Sequence, residues 1–338
     1  MTDWQFIDEQ GTFALSEPQR HSYLYFPLVN KEGLVAAITP TVHGDIKAGQ
    51  QRFLTLPVSV EDLHISRAAR NFWVSVGGYG AWSATGNSAR QIAQNFVADD
   101  FEQVEMRAGF LWHQVTRDNP SLGLQAEITN FVPAGADLTP EASLVELLQV
   151  VLTNVGSEPL ALTPTAAVPI YGRSADRVRD HRHVTSLLHR IHTHPNGVMV
   201  RPTLAFDERG HRPNTVTYAV LGAEGNGTPP VAFFPTVEAF AGPGGSLDWP
   251  QAVVEPGLPG IAAGESLAGY EAMGGLRFRT RTLAPGQSQV YLLVLGILDE
   301  DTDPQAIMAL YGDQARFEAW LARTREHWEQ KLASLQMN

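Results

Sequence analysis

Short apolar segments separated by turn residues recur along almost the whole chain, and this pattern constrains the fold more than any other feature. Residues 145–170 contain two such segments, split by the polar stretch 154–159. Residues 289–298, QVYLLVLGIL, are typical of a buried strand that begins after a turn at 284–287. The 30 glycines and 22 prolines are spread through the sequence and provide turns for many short strands. The pattern predicts a mainly β fold, a large antiparallel β-sandwich over residues 1–300.

Two regions carry specific expectations about turns and loops. Asn196 and Gly197 stand between two strand-like segments, and Asn-Gly is a strong hairpin signal because both residues tolerate positive φ. Residues 222–264 hold the densest run of glycine and proline. That run predicts long loops within one sandwich rather than a linker between two domains.

The pattern changes to helical spacing only near the C-terminus. Asp303 followed by Pro304 is typical of a helix start, and Asp313 after Gly312 predicts a second one. Beyond Asp313, large apolar residues recur at helical spacing: Phe317, Trp320, Leu321, Trp328, Leu332 and Leu335. This pattern predicts helices over residues 303–335. Their apolar face either packs back on the sandwich or is exposed for a further partner.

Composition excludes several classes of function. A formal net charge of −12 argues against binding nucleic acid or an anionic membrane, since both require a basic protein surface. The chain has no cysteine, which excludes disulfides, thiolate metal sites and a cysteine nucleophile. The N-terminus lacks the basic and apolar regions of a secretory signal, and no apolar run approaches the ~18 residues of a membrane span. We therefore expect a soluble, cytoplasmic protein.

Residues 23–86 keep large aromatic rings beside charged and hydrogen-bonding side chains. Flat rings next to polar groups suit sugars, because a pyranose presents C–H patches surrounded by hydroxyls. A free-standing carbohydrate-binding protein would use the aromatic residues at 23–26, 72–73 and 82 as its contact surface. The alternative is a sandwich core in which buried Trp and Tyr find polar partners, and residue types alone favour it.

A series of motifs occurs in a specific order along the chain: YLYFPLVN (23–30), ITPTVHGDIKAGQQRFL (38–54), TNFVP (129–133), PTAAVPIYGRSAD (164–176), RDHRHVTSLLHRI (179–191) and YEAMGGLRF (270–278). The series closely resembles the N-terminal part of the cellobiose phosphorylase-like glycoside phosphorylases (glycoside hydrolase family 94, formerly glycosyltransferase family 36). Within that family it is most similar to the β-1,2-oligoglucan phosphorylase branch. The motifs are spread over most of the chain.

The resemblance implies a galactose mutarotase-like β-supersandwich, a helical linker, an (α/α)6 barrel and a small C-terminal β domain. Only the first two parts are matched, so we expect the catalytic barrel to lie outside residues 1–338. In the full enzyme, phosphate would cleave a β-glucan with inversion and release α-glucose 1-phosphate. The catalytic acid and the phosphate site belong to the barrel, so the resemblance assigns no catalytic residue to this chain.

For this chain, the resemblance implies structural, dimer-forming and substrate-rim roles, with no turnover of its own. The expected partners are a β-glucan oligosaccharide, the catalytic barrel in the same or a separate chain, and a second copy in a homodimer. No cofactor is expected beyond inorganic phosphate, the co-substrate of the full enzyme.

Residues 171–212 are locally basic in an otherwise acidic chain, because arginine and histidine are concentrated there. Arginine offers a planar fork for bidentate hydrogen bonds, and binding residues tend to lie on loops held by a rigid scaffold. We hypothesise that a loop in this segment contacts acceptor sugars at the rim of an active site. Its binding residues would be Arg173, Arg179, His181, Arg182 and His183. The alternative is a solvated or interface patch with Asp176 and Asp180 as ion-pair partners.

A metal site is not expected. His181 with His183, and His192 with His194, have the spacing of two ligands on one strand face. Strand alternation places the first pair and the second pair on opposite faces, and no acidic third ligand is obvious at the right spacing.

The chain carries no nucleophile elbow, phosphate-binding loop, zinc-protease motif or dinucleotide fingerprint. If it were an enzyme in its own right, it would resemble an aldose mutarotase, which uses a histidine and a carboxylate as acid and base. The candidate pairs are His43 with Asp45 and His113 with Glu127.

Overall fold

Two antiparallel β-sheets packed face to face form the framework of the fold. The computed structural model describes residues 4–21, 24–95, 97, 102–136, 138–175, 186–207 and 210–335. A single hydrophobic cluster between the sheets combines side chains from both of them, for example Phe72 and Leu162 from one sheet with Leu148 and Leu293 from the other. The prediction of a mainly β sandwich is confirmed.

The larger sheet has eleven strands within the described residues. In spatial order they are β1 (Trp4–Phe6), β2 (Phe13–Ser16), β8 (Gln103–Gly109), β9 (Trp112–Asn119), β10 (Leu124–Phe131), β11 (Val145–Asn154), β22 (Ser288–Asp299), β17 (Val216–Glu224), β14 (Gly197–Val200), β13 (Arg190–His194) and β19 (Ser266–Ala268). The last strand of the chain, β22, lies between β11 and β17 at the centre of the sheet. The sheet is therefore complete only when the C-terminal part of the sandwich has folded into it.

The second sheet packs against the first. In spatial order its strands are β18 (Ala232–Thr236), β20 (Ala272–Arg277), β12 (Leu160–Ile170), β6 (Asn71–Val76) and β7 (Gly80–Ser83), with β21 (Arg281–Leu283) also paired to β12. A small sheet of β3 (Phe26–Val29), β4 (Leu34–Ile38) and β5 (Ile46–Ala48) adds apolar side chains to the same core. A separate hairpin is formed by β15 (Leu204–Asp207) and β16 (Gly210–Pro213).

Helices are short except at the C-terminus. Those that lie entirely within the described residues are α1 (Ala89–Gln94), α2 (Pro140–Ser143), α3 (Val237–Ala241), α4 (Gln251–Val254), α5 (Pro304–Tyr311) and α6 (Gln314–Ala333), with 3₁₀ helices at Pro18–Arg20, Val60–Asp62 and Ser66–Ala68. In the part of the chain that the structure describes, no helix is both long and apolar enough to cross a membrane.

The strand β22 explains why residues 289–298 read as one continuous apolar run. Tyr291, Leu293 and Leu295 face the core between the sheets. Leu292 and Val294 face the other way, into a cluster that contains Tyr311 and other residues of the two C-terminal helices. Because both faces of β22 are covered, the strand shows no alternation of apolar and polar residues.

The predicted helix starts at Asp303 and Asp313 are both confirmed. The Asp303 carboxylate accepts a hydrogen bond from the Gln305 backbone amide at 2.9 Å, and Asp313 accepts one from Arg316 at 2.9 Å. These caps satisfy backbone donors that the first turn of a helix leaves unpaired.

The apolar stripe of α6 packs back on the sandwich over its N-terminal half. Phe317 and Trp320 are buried, and the Phe317 ring lies edge-on to Phe131 of β10, with centroids 5.1 Å apart. Leu335 at the far end is exposed. One face of α6 thus extends the hydrophobic core of the sandwich.

Two local predictions need correction. The hairpin between β13 and β14 is present, but its two-residue turn is Pro195-Asn196, since His194 pairs with Gly197. Gly197 has no positive φ; it is a glycine because a Cβ there would lie 2.1 Å from the Val220 carbonyl oxygen. Residues 222–264 are not only loops, because they contain β18, α3 and α4.

Candidate functional site

A cleft of about 250 Å3 opens where the segment after β12 meets the 3₁₀ helices and the start of β20. We call it the Arg173 cleft. Its apolar lining residues are Leu56, Ile65, Pro169, Ile170, Val237 and Ala272. Its polar lining residues are Asp62, Arg67, Tyr171, Arg173, Ser186, His189 and Glu271. This combination of an apolar lining and several polar groups is typical of small-molecule sites.

Backbone hydrogen bonds fix the position of Arg173. Its carbonyl oxygen accepts a hydrogen bond from the Phe53 amide at 2.9 Å, and the Tyr171 amide donates to the Leu54 carbonyl at 2.7 Å. Gly172 between them adopts φ of +63°, which favours glycine. The turn at Gly172 brings the Arg173 guanidinium over the Tyr171 ring, 4.1 Å from its centroid. Arg173 is therefore held at the cleft by its backbone and by a cation–π contact.

An ion pair forms one side of the cleft. Arg67, in the 3₁₀ helix Ser66–Ala68, donates from Nη1 to Oε2 of Glu271 at 2.9 Å. Both side chains are partly exposed, so the pair orients these groups more than it stabilises the fold. Together with Asp62 and Arg173, the cleft has two acidic and two basic side chains in its described lining, and their formal charges cancel.

His189 is neutral in the cleft. Burial and the nearby Arg173 charge lower the pKa of His189 to about 4. Its Nδ1 atom lies 3.2 Å from the Tyr270 carbonyl oxygen. A carbonyl oxygen can only accept, so Nδ1 carries the proton and Nε2 is left with a lone pair. That Nε2 atom is buried and forms no hydrogen bond of good geometry with the described residues, although the Tyr171 backbone lies beside the ring.

The Tyr171 hydroxyl is the second unpartnered group of the cleft. Its side chain is 8% exposed, and the oxygen lacks a hydrogen-bond partner within the described part of the chain. Buried polar atoms without partners are rare in folded proteins and costly. Such atoms also occur in the core, for example both ring nitrogens of His113. Tyr171 and His189 differ because they line a cleft, where a ligand or solvent can supply the missing hydrogen bonds.

Of the predicted binding residues, Arg173 lies at this cleft. Arg179, His181, Arg182 and His183 lie outside the described residues, so the structure does not test the rest of the predicted loop. His192 and His194 are on the outer side of β13, where His192 contacts the Ser266 hydroxyl at 2.8 Å. Within the described residues, no group of three or more His, Asp or Glu side chains is arranged to hold a metal ion.

The candidate acid–base pairs are not assembled. His113 pairs across the sheet with Asn130, three residues from Glu127, so strand alternation points His113 and Glu127 to opposite faces. The His43 ring contacts the Thr41 hydroxyl at 2.9 Å, and the Asp45 carboxylate lies 3.7 Å from Lys47. Burial lowers the pKa of His43 to about 3.

The predicted aromatic contact surface is wrong for three of its members. Phe72, Trp73 and Trp82 are fully buried and belong to the core. The Trp82 ring nitrogen donates to the buried Glu102 carboxylate at 2.7 Å. The mixture of aromatic and polar residues in this region therefore reflects core side chains and their buried polar partners, which was the alternative interpretation.

Tyr25 and Phe26 differ from those core residues. Tyr25 is exposed, whereas Phe26 packs against the core, and Tyr23 is outside the described residues. Residues 23–26 therefore do not form one continuous aromatic surface in the part of the chain that is described.

Several residues of the cleft were not singled out by the sequence. Arg67 and Glu271 are 204 positions apart, and no spacing rule joins them. His189 belongs to the basic segment 171–212, but nothing in its neighbours shows that it is buried and neutral. The only sequence signal for the cleft is the concentration of arginine and histidine after β12.

Comparisons with known proteins relate the chain to carbohydrate-active proteins. The family model described as glycosyl hydrolase 94, supersandwich domain, matches residues 81–314. No curated protein sequence matches this chain. Among solved structures, a bacterial glucoamylase complexed with acarbose aligns with a TM-score of 0.46 and 8% identity over 99% of this chain. A putative aldose 1-epimerase from Escherichia coli K12 aligns with a TM-score of 0.36 and 11% identity, over 82% of this chain and 99% of its own. This chain spans 38% of the glucoamylase chain.

Proposed function

The chain belongs to the glycosyl hydrolase 94 supersandwich domain family, and from this we propose that it is the N-terminal domain of a glycoside phosphorylase that acts on β-glucans. The observation that carries the proposal is the family match over residues 81–314, which runs from β7 through the start of α6. The ordered motifs of the sequence favour the β-1,2-oligoglucan phosphorylase branch. A homodimer and a cytoplasmic location are further predictions of this proposal.

In the proposed enzyme, the reaction takes place in an (α/α)6 barrel joined to this domain. Phosphate attacks the anomeric carbon with inversion, the glycosidic bond breaks, and an acid of the barrel protonates the departing sugar oxygen. The products are α-glucose 1-phosphate and a shortened glucan. This domain supports the barrel and takes part in dimer formation, and Arg173 contacts acceptor sugars at the substrate rim.

The test is phosphorolysis by a polypeptide that contains this domain and its barrel. Disaccharides of glucose with β-1,2, β-1,3 and β-1,4 linkages are incubated with and without inorganic phosphate, and glucose 1-phosphate is measured together with its anomeric configuration. We expect phosphate-dependent release of the α anomer, fastest from the β-1,2-linked substrate. Hydrolysis without phosphate, or no turnover of any β-glucan, would contradict the proposal.

The role of Arg173 is tested in the same assay. Arg173→Ala should raise the KM for the glucan about tenfold while leaving the KM for phosphate unchanged, since it removes the guanidinium that would hydrogen-bond the sugar. Arg279→Ala is the matched control, because Arg279 is exposed and does not line the cleft. Unchanged glucan kinetics in Arg173→Ala would remove this residue from the substrate rim.

A further inference from the structure

We propose that the Arg173 cleft is itself a sugar-binding site and that it holds one neutral pyranose ring against the sandwich. The neutral, ring-sized ligand is inferred from the cleft alone. The choice of a β-linked glucose unit rests on the function proposed above.

The unpartnered atoms of the cleft define what a ligand must offer. His189 Nε2 carries a lone pair and accepts a hydrogen bond, whereas the Tyr171 hydroxyl can donate or accept. A sugar hydroxyl is both donor and acceptor, so neighbouring hydroxyls of one ring can satisfy both atoms. Inorganic phosphate also carries a P–OH group near neutral pH, so hydrogen bonding alone does not distinguish it from a sugar, and the charge of the lining has to.

The net charge of the cleft also favours a neutral ligand. Within the described lining, the formal charges of Asp62 and Glu271 cancel those of Arg67 and Arg173. Arg67 is already engaged by Glu271, and His189 stays neutral because its pKa is lowered to about 4. The described lining therefore has no net positive charge to attract an anion, and a neutral polyol suits it better.

Shape and surface also fit a sugar ring. The cleft volume of about 250 Å3 lies just below the ~300–1,000 Å3 that drug-sized ligands occupy, which leaves room for a single ring. Apolar side chains such as Ile65, Pro169 and Val237 line it beside the polar groups. A pyranose presents the same combination, with C–H faces surrounded by hydroxyls, so both kinds of surface are matched.

A second cavity lies next to the cleft, and we infer that the two together hold a disaccharide. It measures about 270 Å3 and shares Val237 and Glu271 with the cleft. Its lining includes the glycines at the end of α3 and Tyr270, which is 47% exposed. Glycine has no side chain, so a ligand can approach the backbone closely there, and an exposed tyrosine ring can stack on a sugar face. Two linked glucose units would occupy the two cavities in sequence.

The experiment is calorimetric titration of this 338-residue chain with glucose, with β-1,2-linked diglucose and with inorganic phosphate. We expect saturable binding of both sugars, with the disaccharide bound about tenfold more tightly because it reaches both cavities. Phosphate should neither bind with comparable affinity nor displace the disaccharide. Absence of sugar binding at tens of millimolar, or competitive displacement by phosphate, would overturn the proposal.

A variant that lacks a single oxygen atom tests where the sugar binds. Tyr171→Phe removes the hydroxyl and keeps the ring beneath Arg173, so we expect the Kd for the disaccharide to rise about five- to tenfold. Tyr25→Phe is the matched control, because Tyr25 is exposed and lies outside both cavities. Equal affinities for the wild type and a folded Tyr171→Phe protein would overturn the assignment.

Hydrogen exchange on the unaltered chain provides a test that needs no variant. Saturating disaccharide should slow amide exchange at 171–173 and at 270–272, the backbone segments that border the cleft. If binding occurs but protection is confined to another region, the assignment of the sugar to this cleft would be overturned.

The outcomes separate this proposal from the function proposed above. Phosphorolysis by the joined enzyme without sugar binding by this chain would overturn the cleft assignment alone. Sugar binding to the cleft without phosphorolysis would overturn the phosphorylase assignment and leave the binding site in place.

Discussion

Arg70 and Glu146 form a fully buried, two-pronged ion pair that joins the two sheets of the sandwich. Arg70 Nε donates to Oε1 of Glu146 at 2.8 Å, and Nη2 donates to Oε2 at 2.6 Å. Arg70 immediately precedes β6 in one sheet, and Glu146 lies in β11 of the other. Asn130 and the Gly44 carbonyl complete the hydrogen bonding of the pair. The two charges are thus removed from water but fully compensated by each other and by their neighbours.

Breaking this pair on one side should strongly destabilise the sandwich. Glu146→Gln leaves the Arg70 guanidinium buried without a counter-charge, and we expect the free energy of unfolding to fall by about 3–5 kcal/mol in urea titrations. Arg107→Ala is the control, since the Arg107–Glu105 pair has the same close contact but is exposed, and its loss should cost less than about 1 kcal/mol. Similar losses in the two variants would contradict the role given to burial.

Gly197 should be intolerant of alanine although its φ is ordinary. A Cβ at this position would meet the Val220 carbonyl oxygen at 2.1 Å and Leu221 Cα at 2.8 Å, so β14 would have to move away from β17. We expect Gly197→Ala to lower stability by about 1–3 kcal/mol, as overpacking of a core typically does. Thermal unfolding of Gly257→Ala is the comparison, because a Cβ at Gly257 would have open space. An unchanged melting temperature for Gly197→Ala would refute the close approach.

Stability should depend on pH through His113. Burial lowers the pKa of this fully enclosed side chain to about 3, whereas the unfolded chain has the ordinary value of ~6.5. Between these values the unfolded state binds a proton that the folded state does not, so stability rises with pH over this window and is lost as the pH falls. From pH 7 to pH 5, His113 should reduce the free energy of unfolding by about 2 kcal/mol.

His113→Phe isolates this contribution, because phenylalanine fills similar space and cannot be protonated. Urea unfolding of both proteins at pH 7 and pH 5 gives the two losses of stability. We expect the loss to be smaller in the variant by about 2 kcal/mol. The same loss in both proteins would mean that His113 does not titrate as its burial requires.

Helix α6 should unfold together with the sandwich. Phe317 is buried against Phe131, and Phe317→Ala removes a large ring from that contact. We expect a loss of about 3–5 kcal/mol with a single unfolding transition by circular dichroism. Leu335→Ala, on the exposed end beyond the helix, should change stability by less than about 0.5 kcal/mol. A separate helical transition at unchanged sheet stability would show that α6 is an independent linker.

Local features of the fold were predictable because their causes lie within a few residues. The turn before β22 closes with a hydrogen bond from the Gln287 amide to the Ala284 carbonyl at 2.9 Å, as proline and glycine in that stretch indicate. The helix starts at Asp303 and Asp313 depend on one side chain and one nearby amide. The strands β11 and β12 follow from their apolar runs. Their assignment to different sheets does not, since both read as buried strands.

The candidate site was less predictable because its causes lie far apart in the sequence. Arg173 was identified because basic residues cluster near it in sequence. The unpartnered state of Tyr171 and His189 depends on which groups fail to reach them, and that is a property of the whole packing.

The amino-acid sequence by itself determined the mainly β class, the strand segments, the helix caps and the family, because these follow from short-range patterns and ordered motifs. Only the tertiary structure decided that Phe72, Trp73 and Trp82 are core residues, that Gly197 is needed for a close approach, and that His113 and Glu127 lie on opposite faces. It also brought Arg67 to Glu271, 204 residues away, at the edge of the Arg173 cleft. The order of the strands in the sheets brings such distant residues together. That order depends on which faces pack against each other, and no local pattern specifies it.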